Sequence, residues 1–173
     1  MPDLPPIPRP SQLWKQMSAE RRAQAAEAFW RDENGGSEQA EVIGTIANRI
    51  KFRVKSVLTL PMEKKVKYLL GLPAVSEMVA ARLLVAYHID HQRPMMGAFL
   101  DALGIAHEDG LIADENVEPP DPAALHAAAS SLAGRFPAED VTVYLSTLVW
   151  QDPDAWGPLA EAPEVRTEVD SKQ

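Results

Sequence analysis

The chain has 173 residues, is 46% hydrophobic and 24% charged, carries a formal net charge of −8 and contains no cysteine. That length and apolar fraction suit a single soluble domain with a sizeable core. The missing thiols exclude disulfides, thiolate catalysis and zinc–sulfur sites, and the acidic balance argues against general nucleic-acid binding.

The opening MPDLPPIPRP lacks the apolar stretch of a secretory signal. The most apolar run, residues 78–89, is broken by Arg82 and too short to span a bilayer. The expected setting is therefore cytoplasmic, with no membrane contact.

In chain order, residues 1–10 hold five prolines and read as a polyproline-like arm. Ser11 is placed to cap a short turn with Leu13, Trp14 and Met17. Ser18 is placed to cap the alanine-rich AERRAQAAEAFWRDE, which Asn34-Gly35-Gly36 ends. From Ser37 a helix is expected to run unbroken to Pro61. Its apolar stripe comprises Ile43, Ile46, Ala47, Ile50, Val54, Val57 and Leu58.

Pro61 then starts a helix closed by Gly71. Pro73 starts a central helix that should reach Gln92, with Val75, Met78, Val79, Val85, Ala86 and Ile89 on one face. On that wheel His88 and His91 lie near Glu77, away from the apolar face. Pro94 begins a further helix, with Gly104 at its left-handed terminator and Ile105 returning onto Leu100. The segments PMEKKVKYLLGL (61–72) and PMMGAFLDALGI (94–105) align without gaps, which is compatible with a helical-hairpin repeat or with two helices sharing start and stop chemistry.

An acidic loop with a Glu108-Asp109-Gly110 turn follows, with Leu111 and Ile112 expected to tuck inward. Pro122 and Pro137 start the last two helices. VTVYLSTLVW is strand-like in composition, but its helical start signals and the want of a pairing strand assign it to helix, with Val141, Tyr144, Leu145 and Leu148 as its core stripe. The expectation is an all-α fold of about seven helices, either a multi-helix bundle or a short stack of antiparallel helical hairpins. Residues 11–157 form the domain, and 158–173 an acidic tail that should fray.

Three constellations compete for function. A metal-binding or hydrolytic centre would use His88 and His91, three apart on one helix, with His107 and Glu108, and with Tyr87 and Asp90 beside them. Against it, the Glu-x-x-His and His-Glu-x-x-His patterns of helical metal sites are missing, as are nucleophile elbows and phosphate loops. No cofactor is expected.

The second is a basic segment, Arg49, Lys51, Arg53, Lys55, Lys64, Lys65 and Lys67, with seven bases against the single acid Glu63 over residues 49–67. It suits an anionic partner or nucleic acid. From residue 101 onward the balance reverses, with fifteen acids against three bases. The third is an interaction surface at Phe52, Val143 and Trp150, apolar residues opposite the core stripes of their helices. The leading reading is a non-catalytic interaction or scaffold module whose partner is another protein or a second copy.

Overall fold

The computed structural model describes residues 8–33, 35–113 and 118–166, within which the fold is all-α. The described residues form eleven α-helices, one 3-10 helix and a single two-stranded hairpin. The helices are more numerous and shorter than expected. None of them is long and apolar enough to cross a membrane. Residues 10–91 make one compact unit, and residues 92–166 with Pro8 and Arg9 make another, so the expected domain of 11–157 runs through both.

The N-terminal unit is built from α1 (Pro10–Gln16), α2 (Ala19–Arg31), α3 (Gly36–Ile50), α4 (Val54–Leu58), α5 (Met62–Leu70) and α6 (Glu77–His91). Ser18 caps α2 as its sequence foretells, its side chain accepting from the Arg21 N–H. Such a cap is worth about 1 kcal/mol. Gln39 on α3 satisfies the other end of α2, donating through Nε2 to the Phe29 and Asp32 carbonyls at 2.8 and 2.7 Å. Helix ends need such partners, because the last carbonyls have none inside the helix.

Helix α6 packs against α1, α2 and α3. It starts at Glu77, four residues after the proline expected to start it, and Ser76 supplies the hydroxyl that accepts from the Val79 N–H. Its buried side is Val79, Ala80, Leu83, Leu84, Ala86, Tyr87 and His88, while Met78 and Ile89 are exposed. The expected face was wrong at both margins. Apolar residues surround this helix almost evenly, so its neighbours choose which of them are covered.

The expected unbroken helix from Ser37 to Pro61 is two helices. Lys51 adopts the left-handed conformation, φ 61°, ψ 33°, and ends α3. Arg53 is extended, and α4 restarts at Val54. Val57 is fully buried on one side of α4, leaving Val54 and Leu58, one helical turn apart, exposed on another.

The second unit comprises α7 (Arg93–Leu103), β1 (His107–Glu108), β2 (Leu111–Ile112), α8 (Pro122–Ala133), α9 (Ala138–Gln151), α10 (Pro153–Trp156), a 3-10 helix (Gly157–Glu161) and α11 (Pro163–Arg166). Its core joins Met95, Phe99 and Leu100 of α7, Leu125 and Leu132 of α8, and Tyr144 and Leu145 of α9. Phe99 meets the Tyr144 ring edge-on, with centroids 5.7 Å apart. VTVYLSTLVW is helical, as assigned.

Gly104 ends α7 at φ 70°, and the Ile105 N–H reaches the Leu100 carbonyl at 2.9 Å, the expected Schellman arrangement. Gly71 differs. It ends α5 at φ −80°, in right-handed conformation, so the two aligned segments do not share a terminator.

The acidic loop holds the hairpin. Asp109 and Gly110 form its two-residue turn, both with positive φ (52° and 89°). That is the type I′ signature of Asp-Gly. Leu111 and Ile112 do not tuck inward; both are exposed.

The tail expected to fray from 158 onward packs instead as far as residue 165. Trp156, Leu159, Ala162 and Val165 recur every third residue and are all buried in the core. That is the period of a 3-10 helix, whose side chains three apart eclipse. Residues 167–173 lie outside the described chain, as do 1–7 of the arm.

Candidate interaction surface

The histidines of the expected metal centre are employed separately. His88 is buried on α6, not solvated as its wheel position implied. His91 stacks on Tyr87, with centroids 5.7 Å apart and planes 27° from parallel, and its Nε2 lies 3.5 Å from Asp90 Oδ2. His107 belongs to the second unit, where its Nδ1 accepts the Gly110 N–H at 3.0 Å and its Nε2 stands 2.7 Å from Asp101 Oδ1. With Nδ1 accepting, the proton sits on Nε2 and is donated to Asp101. Both ring nitrogens are thereby committed, and ligating a metal would break one of these bonds. Glu108 is exposed beside it on β1. Among the described residues no group of three or more His, Asp or Glu side chains is gathered to hold an ion.

His107 is instead the middle of a clip between the hairpin and α7. Arg93, Gly97 and Asp101 recur every fourth residue along one face of α7. Arg93 donates to the Asp109 carbonyl at 3.3 Å and lies 3.6 Å from its carboxylate. The hairpin lies close on Gly97: a Cβ there would stand 3.2 Å from His107 Cε1, tighter than an ordinary contact. A Cβ on Gly110 would be 2.9 Å from Met96 Cβ.

A shallow cleft between α2 and α6 encloses about 170 Å³. It has an apolar floor around Ala86 and Ile89 and a rim of Arg31, Asp32, Arg82 and Asp90. Two positive and two negative charges cancel on that rim. Arg82 is already drawn to Asp32 and Glu38, at 3.7 and 3.8 Å, and Arg31 is paired with Glu27. Nothing in this arrangement selects a charged ligand.

The candidate interaction residues fare differently from one another. Val143 is buried; α9 is covered nearly all round, from Asp140 to Thr147. It is therefore no open surface. Trp150 is partly exposed, but its indole N–H donates to the Pro8 carbonyl at 2.6 Å, so Pro8 already lies against it. Phe52 is 46% exposed and has company that the sequence did not reveal, Val54 at 52% and Leu58 at 53%. The break at Lys51 leaves Val54 and Leu58 exposed near Phe52 in the chain by turning the first turn of α4 away from the α3 stripe.

Beside these in the chain stand Arg49, Lys51, Arg53 and Lys55, all exposed. None of the four has an ion-pair partner among the described residues. On α5, Lys64 and Lys67 are exposed one turn apart, whereas Lys65 sets its ammonium 5.3 Å from the Trp30 ring centre. Lys65 is thus partly spent on its own fold.

Fold and surface together define an all-α protein of two helical units, one of which presents a basic surface with an exposed apolar centre. Comparison with known protein families, with curated protein sequences and with solved structures finds no match to this chain.

Proposed function

We propose that the protein is a non-catalytic docking module that captures acidic protein segments bearing an apolar anchor, through the surface formed by residues 49–58 and extended by Lys64 and Lys67. One observation carries the reading: Phe52, Val54 and Leu58 are each about half exposed within a run of four exposed, uncompensated bases. Exposed apolar groups beside one another are costly unless a partner covers them. A rim of uniform charge steers the partner and sets its sign, while the apolar centre holds it. Lack of cysteine fits a reducing compartment such as the cytoplasm.

The test uses a fluorescent glutamate-rich peptide with two leucines one helical turn apart, and the same peptide with serines replacing the leucines. Single-stranded DNA and anionic lipid vesicles serve as competing polyanions. The leucine peptide should bind, and Phe52→Ser with Leu58→Ser should weaken it by about tenfold or more. Equal binding of the serine peptide, or preference for DNA or vesicles, overturns the reading in favour of simple charge attraction.

A further inference from the structure

Resting on that docking surface, we infer that one of its occupants is the β1–β2 hairpin of a second copy of this chain. The hairpin is the opposite number of the basic surface in both respects that matter. It presents two exposed aliphatic side chains, Leu111 at 41% and Ile112 at 44%. The described residues of 108–121 carry four exposed acids, Glu108, Asp109, Glu118 and Asp121, and no lysine or arginine, where residues 49–58 carry four bases and no acid. Glu108 and Glu118 are exposed among those acids.

The hairpin is also built to keep its shape when it docks. Its type I′ turn is closed, and the clip of Arg93, His107 and Asp101 fixes it to α7. A preformed projection loses little freedom on binding, so more of the contact energy appears as affinity. Among the described residues β2 pairs with β1 alone, and Leu111, which shares its face of the hairpin with Glu108, is exposed on the kind of edge that monomeric proteins ordinarily blunt with charge. Here the charge lies beside the apolar pair and leaves it open.

The contact joins two different patches, basic on one copy and acidic on the next. It therefore strengthens at low salt, and its two sides can be broken separately.

Sedimentation velocity of the full chain over a concentration series, at low and at high salt, reads it. The wild type should associate at low salt and dissociate as salt rises. Arg53→Glu with Lys55→Glu turns the basic patch acidic, and Glu108→Lys with Glu118→Lys turns the acidic patch basic. Each double variant alone should weaken self-association by about tenfold or more, because like charges then face each other. An equimolar mixture of the two should associate again, since opposite charges meet at both contacts. Leu111→Ser with Ile112→Ser removes the apolar pair without touching charge and should also weaken association, with the helical circular dichroism unchanged.

A wild type that stays monomeric at every concentration and salt overturns the inference, as does a mixture that fails to associate. If the chain is monomeric while the leucine peptide still binds at Phe52 and Leu58, the second-copy partner falls and the docking reading stands. If neither binds, both fall.

Discussion

The Phe52 amide donates to the Ala47 carbonyl at 3.0 Å, the same relation that Ile105 bears to Leu100 at the end of α7. In α7 the residue between is Gly104, and in α3 it is Lys51, at nearly the same left-handed φ. A side chain in that conformation costs roughly 1–2 kcal/mol, of which glycine's greater freedom in the unfolded chain returns about 0.5–1. Lys51→Gly should therefore stabilise the N-terminal unit by about 0.5–1 kcal/mol, read as a higher urea midpoint. The same change removes one of the four bases around Phe52, so binding of the acidic peptide should weaken while the fold gains. A loss of stability would mean that the lysine side chain contributes more to the fold than its conformation costs.

Glycines 44 and 110 should respond to alanine with opposite sign. Gly44 sits inside α3 with open space where a methyl would stand, nothing lying within 4 Å of it, so alanine there only improves helix propensity and should stabilise by about 0.5–1 kcal/mol. Gly110 holds φ 89°, and its Cβ would press on Met96 and the Arg93 carbonyl at 2.9 and 3.0 Å. Gly110→Ala should destabilise by about 1–3 kcal/mol and loosen the hairpin. Amide exchange at Gly110, whose N–H is held by His107, is the local readout, and His107→Ala should accelerate it in the same way.

Leu159 tests the C-terminal packing. It is fully buried in a segment whose prolines and acids suggest a loose tail. Leu159→Ala should cost about 2–5 kcal/mol, the range for a leucine cavity in a packed core. Met78→Ala, at an α6 position that the sequence pattern marks as core but that is exposed, should change stability by no more than about 0.5 kcal/mol. Thermal unfolding of the two variants side by side decides between the packing described and a frayed tail.

Local chemistry was the legible part of the sequence. Ser18 caps, Pro122 and Pro137 start helices, and Gly104 with Ile105 terminates one, because each of these acts through backbone groups a few residues away. The docking surface was half legible. The bases and Phe52 stood out, but Val54 and Leu58 continue the α3 stripe in perfect register, and only the turn at Lys51 removes them from it. Lysine carries no signal for that conformation.

The burial of His88 and Val143 depends on tertiary neighbours that no periodicity encodes. The row at 156, 159, 162 and 165 was readable as a period of three, but its intervening prolines and glutamates disguised it. The hairpin's strands are two residues long, too short to show any alternation.

Tyr144 gives the fold an alkaline limit. Burial pushes its phenol well above the ordinary tyrosine value of about 10, because the phenolate would lose its water. The folded chain thus keeps this proton at a pH where the unfolded chain has released it. With the unfolded state binding fewer protons, stability is intact below about pH 10 and falls as pH rises above it, by up to about 1.4 kcal/mol per pH unit from this group. Tyr144→Phe keeps a ring to meet Phe99 and removes the ionisation. Its urea midpoint should therefore decline less steeply than that of the wild type between about pH 9 and pH 11. Phenolate absorbance provides the second measurement: the Tyr144 phenol should ionise only as the fold opens. Parallel alkaline slopes for the two proteins would show that the Tyr144 phenol is not what limits the fold at high pH.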